Sequence, residues 1–326
     1  MVTCRIFLLT YNRNQLLPRA VNSILNQTFT NWVCELHNDN PEDNFPAEYI
    51  RSLNDDRFVV INHPQNLGAT STFNLAFAAC NEDYASILED DNWWEPAFLQ
   101  TGIEAMLADN SVEVIVCNEN IWVEQIDGSW HDTRQTIWPE TMGQQFYTYN
   151  LVNKCGSAKI CNSSMIWKTQ HAAQWITPNN IPVDVTEHFR ERLMPHPILL
   201  INTPLANYAR TLVSHRSKDT AVWGAYQVLL IASVFQLLNF ADSQKFAARL
   251  WEQSANNSPY QTTLINTALA IKQASPLLKY VSTANKFRYL LTILRNPIRW
   301  FKIVNASYNY PTQWTFLLEH TYFTGI

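Results

Sequence analysis

Glycine is scarce in this chain, with seven among 326 residues, and the nearest two, Gly143 and Gly156, lie 13 positions apart. That spacing excludes the phosphate-cradling P-loop, the dinucleotide fingerprint and the hydrolase nucleophile elbow, all of which need glycines within a few residues of one another. Any nucleotide bound here is held another way. The six cysteines (Cys4, Cys34, Cys80, Cys117, Cys155 and Cys161) form no C-x-x-C, so neither a zinc site nor a disulfide framework is indicated. Residues 1–9 carry Arg5 in their middle and are too short for the apolar core of a signal peptide, so the chain is expected in the cytoplasm. Acidic residues are also missing between Glu252 and Glu319, an interval that holds Lys272, Lys279, Lys286, Arg288, Arg295, Arg299 and Lys302 in a chain of net charge −5. The tail is a basic block on an acidic body. An acidic body without a recognised module argues against nucleic acid as a partner.

What is present is apolar and periodic. Hydrophobic residues make up 47% of the chain and charged ones 16%, enough for a sizeable core. Strand patterns at 2–9, 32–36, 58–61 and 84–88 alternate with helical spacing around 17–25, 46–53, 74–80 and 96–107. This rhythm predicts a mainly parallel α/β sheet with helices on both faces. After a strand at 114–117, residues 121–125 and 130–135 are joined through Asp127-Gly128, a hairpin signal. From about residue 214 the pattern is helical, with breaks expected at Pro259, Pro276, Pro297 and Pro311.

Ligands of open α/β sheets bind at the carboxyl ends of the strands. Polar groups stand there after the first strand (Thr10-Tyr11-Asn12-Arg13), the second (Asn38-Asp39-Asn40) and the fourth (Glu89-Asp90-Asp91-Asn92). Three adjacent carboxylates repel one another. Mg²⁺ or Mn²⁺ bridging one or two of them to a diphosphate relieves that repulsion; acids capping the turn before Pro96 are the plainer reading.

These residues resemble a known family. Thr10-Tyr11-Asn12-Arg13, then Leu17-x-Arg19-Ala20-Val21-x-Ser23-Ile24-Leu25-x-Gln27-Thr28-Phe29-x-Asn31-Trp32, looks like the opening of the family 2 glycosyltransferases with the GT-A fold. Asn66-Leu67-Gly68 followed by Asn74 is similar too, and Leu88-Glu89-Asp90-Asp91-Asn92-Trp93-Trp94-Glu95-Pro96 resembles that family's acidic DxD loop. The match is dense over about 2–110 and thins towards 215.

The resemblance implies a GT-A domain over 1–215, with a donor-binding half at 1–117 and an acceptor half at 118–215, and a helical subdomain over 216–326. It implies an inverting hexosyltransferase that takes a UDP-sugar and a divalent metal, acting on a glycan or lipid-linked saccharide in surface polysaccharide synthesis. Thr10 and Tyr11 would pack on the base, Asp39 would meet uracil or ribose, and Arg13, Asn66, Asn74 and Asp90 would complete the donor site. Asp91 would hold the metal, with Glu89 and His215 as further ligands. Two positions depart from the family: Glu89 replaces the first acid of the usual DxD, and Phe73 stands where an arginine is frequent. The second leaves open an altered donor, or a degenerate relative acting as a binding or scaffold protein.

Inversion needs a base for the acceptor hydroxyl. Asp184 in Ile181-Pro182-Val183-Asp184-Val185-Thr186-Glu187 resembles the family's base, and Glu187 is its rival; acids dressing a helix start are the plainer reading of both. Trp93 and Trp94 offer either a face for a sugar ring or packing. Residues 220–241 carry a membrane-span length without charge, or a buried helix. Tyr289, Leu290, Ile293, Leu294, Ile298, Trp300, Phe301, Ile303 and Val304 interleave with four cations, which suits an anionic membrane surface, a helical subdomain whose cations are simply solvated, or a homodimer interface.

Overall fold

A computed structural model describes residues 2–78, 80–139, 145–147 (backbone only), 155, 160–195, 197–213, 219–255 and 257–321. The chain divides into two compact units. The first comprises Met1–Thr148, Lys159–Asn180 and Met194–His215, the second Tyr149–Ala158, Ile181–Leu193 and Arg216–Ile326.

The first unit is built on β1 (Cys4–Thr10), α1 (Leu17–Leu25), β2 (Trp32–Asn38), α2 (Phe45–Leu53), β3 (Phe58–Asn62), α3 (Ala69–Leu75) and β4 (Tyr84–Glu89). It continues through β5 (Trp93–Trp94), α4 (Phe98–Ala108), β6 (Val114–Glu124), β7 (Trp130–Thr136), β8 (Gln145–Tyr147), β9 (Met165–Lys168) and β10 (Ile198–Arg210). Among the described residues these strands form one sheet in the order β3-β2-β1-β4-β9-β6-β10-β5, with β7 beside β6 and β8 beside β10. β1 to β4 are mutually parallel, as are β6 and β10, while β9 runs against both β4 and β6. The expected mainly parallel sheet is therefore present, with antiparallel additions towards one edge.

Alternation puts Cys4, Ile6 and Leu8 of β1 and Trp32, Cys34 and Leu36 of β2 on one face, where they bury against Leu17, Val21 and Ile24 of α1 and Phe98, Ile103 and Met106 of α4. α4 approaches closely because residue 102 is glycine: a Cβ there would run into Ile115 and Ile166. On the other face Phe77 stacks on Trp167 at 4.7 Å and tilts against Trp175. Two expectations shift. The predicted helix at 74–80 lies earlier, as α3, because Gly68 at φ 80° starts it and the chain turns after Leu75. The strands predicted at 114–117 and 121–125 are one continuous β6, whose hairpin to β7 does turn at Gly128 with φ 80°.

The second unit holds α5 (Thr186–Glu191), α6 (Thr220–Leu237), α7 (Phe240–Gln253), α8 (Ser258–Ala270), α9 (Thr283–Arg295), α10 (Pro297–Val304), α11 (Ala306–Asn309) and α12 (Pro311–Glu319). Asp219, Asn239, Asn257, Ser282 and Asn296 each accept backbone N–H groups at a helix start, so side-chain caps set five of these boundaries. α6 is the one helix among the described residues long and apolar enough to cross a membrane, and most of it is buried. Ile231, Val234 and Phe235 pack on α7 and α8; Tyr226 and Leu229 pack with Phe189, Ile303 and Leu317. α9 has no buried residue.

Three members of the apolar tail set are engaged by other elements of the unit. Ile303 sits against Gly224 of α6, where the missing Cβ leaves it room, and Trp300 Nε1 donates to Tyr289 Oη at 2.8 Å. Tyr289 Oη donates in turn to Asn266 Oδ1 of α8.

Candidate active site at the carboxyl ends of the strands

Because β1 lies between β2 and β4 in parallel register, with Thr10 opposite Asn38 and Leu9 opposite Glu89, the loops that follow these strands emerge side by side. Backbone bonds lock them: Asp39 N donates to Thr10 O and Asp90 N to Leu9 O, each at 3.1 Å.

Asp90 is 3% exposed, and its Oδ2 accepts from Thr10 Oγ1 at 2.8 Å and Tyr11 N at 3.2 Å, with Arg13 Nη1 3.4 Å from Oδ1. Burial pushes this carboxyl up to about 7, and the neighbouring Asp91 adds to that while Arg13 opposes it. Asp91 is also raised by burial, and Arg13 Nη1 pairs with its Oδ2. The Asp91 carbonyl accepts from Arg19 Nη2 at 2.7 Å. The Arg19 guanidinium lies between the rings of Trp93 (3.8 Å) and Trp130 (4.1 Å), and its burial lowers it to about 10.

Asp39 caps the loop ahead of α3: Oδ1 accepts from Leu67 N at 2.8 Å and Oδ2 from Gly68 N at 3.1 Å. The structure thus brings Thr10, Tyr11, Arg13, Asp39, Asp90 and Asp91 together, with Tyr11 exposed and Asn66 exposed just before the capped loop.

Other sequence-predicted residues stand differently. The Asn74 amide donates to Thr177 O and Asn179 Oδ1, both at 2.7 Å, and so holds the segment at 177–179. Glu89 Oε2 accepts from Ser163 Oγ at 3.0 Å and Asn92 Nδ2 at 3.3 Å. Asp184 and Glu187, both half-buried, lie in the second unit, in a short turn and in the first turn of α5. His215 falls outside the described residues. Trp94 is packing: it stacks on Phe98 at 4.4 Å and donates to Ser163 O at 2.6 Å. Trp93 carries Arg19 on its ring and meets Trp122 and Trp130.

Arg19, Ser163, His37 and His63 belong to this site without having been singled out. Arg19 stood inside the quoted motif; His37 could have been found from its place on the face of β2 that carries Glu35, two residues before Asp39.

As a metal centre the donor set is incomplete, since no group of three or more His, Cys, Asp or Glu side chains among the described residues could hold a cation. A carboxylate such as Asp91, paired with the cationic Arg13, suits an ion shared with a bound phosphate rather than one held by protein alone.

The model of the glycosyl transferase family 2 domain matches residues 6–169, half of the chain. The chain belongs to glycosyl transferase family 2. Over 92 residues it is 33% identical to an Escherichia coli protein described as a candidate colanic acid biosynthesis glycosyl transferase, WcaA, covering 28% of this chain and 33% of that one. Over 105 residues it is 25% identical to WfgD of Escherichia coli, the UDP-Glc:alpha-D-GlcNAc-diphosphoundecaprenol beta-1,3-glucosyltransferase, covering 32% and 41%. The chain thus spans between a third and two fifths of the length of these curated relatives.

Among solved structures it is similar to residues 1–349 of S. aureus TarS in complex with UDP, with a TM-score of 0.61 at 14% identity over 96% of this chain and 92% of that one. The complex of the same protein with UDP-GlcNAc gives 0.60 at the same identity and coverage. At such identity the likeness speaks for the fold, and the family 2 chain has the GT-A fold with a helical C-terminal region.

Proposed function

We propose that this family 2 chain is an inverting, metal-dependent hexosyltransferase that moves a sugar from a UDP-sugar to a glycan or lipid-linked saccharide in surface polysaccharide synthesis. The observation that carries the reading is the meeting of Asp39, Asp90, Asp91 and Arg13 at one end of the parallel strands. Support comes from the names of relatives: WfgD takes UDP-Glc and a diphosphoundecaprenol-linked acceptor, and TarS has been seen with UDP and UDP-GlcNAc.

Tyr11 is exposed enough to pack on a base, and Asp39 holds the loop beside the nucleoside. Asp90, bonded to Thr10 and Tyr11, would accept from ribose, and Asn66 precedes the loop that Asp39 caps. Asp91 would hold Mn²⁺ or Mg²⁺, with Glu89 and His215 as the other assigned ligands, and the ion would neutralise the leaving diphosphate. Arg13, paired with Asp91 here, then offers its charge to the phosphates. Asp184 is assigned as the base for the acceptor hydroxyl, with Glu187 in reserve, on the sequence pattern alone.

The acceptor side of the reading rests on α9 and α10. Phe287 (64% exposed), Leu290 (50%), Leu294 (68%), Ile298 (72%) and Phe301 (62%) stand in water among Lys286, Arg288, Arg295, Arg299 and Lys302. Apolar side chains framed by cations, with no acid near in sequence, complement an anionic membrane surface, at the cytoplasmic face of which a lipid-linked acceptor would be met.

UDP release from a panel of UDP-sugars, with Mn²⁺ and a diphosphate-lipid saccharide, tests the proposal. Turnover that Asp184→Asn reduces without loss of UDP binding supports it; turnover unaffected by both Asp184→Asn and Glu187→Gln contradicts the assigned base, and no release from any donor contradicts the activity.

A further inference from the structure

A row of charged groups behind Asp39 is left unused by the donor reading. Glu35 and His37 lie two residues apart on β2 and share a face that Asp39 continues. Glu35 Oε1 is 2.8 Å from His37 Nε2, His37 Nδ1 is 3.0 Å from His63 Nε2, and His63 Nδ1 is 2.9 Å from Asp39 Oδ1. His37, His63 and Asp39 are all buried, at 4%, 5% and 4% exposure.

The geometry fixes a proton count. A ring nitrogen facing an ionised carboxylate must carry a hydrogen, and two ring nitrogens facing each other need one hydrogen between them. The three contacts therefore need three protons on four nitrogens, so the two rings share one positive charge. With only two protons one contact is lost, because a lone pair then faces a carboxylate or another lone pair.

The surroundings act on the pair in both senses. Arg5 on β1 donates to Glu35 at 2.9 Å and is itself held by Glu82 at 2.8 and 3.0 Å, so signs alternate along Glu82, Arg5, Glu35, the histidine pair and Asp39. Phe7, also from β1, stacks on His37 at 6.1 Å. Burial pulls His37 below its ordinary value, as Arg5 and His63 also do, while Glu35 opposes them. Burial thus works towards release of the proton on His37 and Glu35 towards its retention.

We infer that His37 and His63 are positioning residues for nucleoside binding: their shared proton holds the Asp39 carboxylate on the N–H groups of Leu67 and Gly68, and its release as pH rises loosens that loop. The inference rests on the reading that Asp39 lies at the nucleoside.

The test uses the full chain with ¹⁵N-labelled histidine, followed by NMR from about pH 5 to about 8.5, beside calorimetry of UDP binding to wild type and to His37→Gln. The expected result is one joint titration step for the two rings. Across it, wild-type affinity for UDP falls about three- to tenfold relative to the variant, a ratio that cancels the ligand's own ionisation. Circular dichroism checks that the variant is folded, and His63→Gln serves in its place if it is not. Rings that titrate independently, or an affinity ratio that is flat with pH, overturn the inference. Absence of UDP binding at every pH contradicts the donor reading instead, and the ring titration in the free protein still decides the shared proton.

Discussion

The strand-end site and the α9–α10 surface use charge in opposite ways. Around Asp39, Asp90 and Asp91 nearly every charge is met by a named partner within hydrogen-bond distance and is buried. On α9 and α10 the cations stand in solvent beside exposed Phe287, Leu294 and Ile298. The side chains of the first region are already oriented, as the proposed small, highly charged donor would need. The second has little to lose on meeting a broad, disordered surface such as lipid headgroups, where area and net charge count for more than fixed geometry. Substitutions in the two regions should therefore fail differently, the first by damaging the fold or the donor site, the second by leaving both intact.

The largest effect is expected in the buried helical core, as a reference for what real packing costs. His188 is buried against Trp223, and burial, with Arg192 adding, lowers it to about 4. A folded-state value below the ordinary imidazole one means that the unfolded chain binds the extra proton, so stability is complete above about pH 6.5 and is lost as pH falls towards 4. Urea unfolding should show about 3 kcal/mol lost over that window, and His188→Gln should remove that part of the slope. Next comes Gly102→Val, whose side chain must displace Ile115 and Ile166; about 1–3 kcal/mol of destabilisation should appear in the same measurement.

Arg19→Met keeps much of the packing between Trp93 and Trp130 but removes the bond to the Asp91 carbonyl, so UDP affinity should fall about tenfold with little change in melting temperature. Smallest is the double change Leu294→Ser with Ile298→Ser. It should alter stability by less than about 0.5 kcal/mol and leave UDP binding unchanged, yet reduce sedimentation with vesicles of anionic but not of zwitterionic lipid. Equal sedimentation of both proteins would remove the membrane from the comparison.

The same contrast explains what could be read from the residues alone. Strand-end loops were legible because short polar runs follow apolar ones, and a parallel sheet places those runs side by side by necessity. Asp39, Asp90 and Asp91 could be paired on paper for that reason. Asn74 could not be followed: its amide is spent on Thr177 and Asn179, more than a hundred residues away, a contact that no local pattern encodes. α3 was placed too late because its start is set by the φ of Gly68, a backbone feature, while the apolar spacing of 74–80 invited a helix further along. The tail's composition was plain, but which of its apolar residues face inward was not; Ile303 and Trp300 are committed by Gly224 and Tyr289 on other elements.

In the proposed donor site Asp91 would share a divalent ion with a diphosphate. Calorimetry of the full chain with UDP, with and without Mn²⁺, beside Asp91→Asn, tests it most directly. UDP binding that Mn²⁺ strengthens in the wild type and does not strengthen in the variant, with circular dichroism unchanged, is the expected result. Binding equally tight in both proteins whether or not Mn²⁺ is present would contradict it.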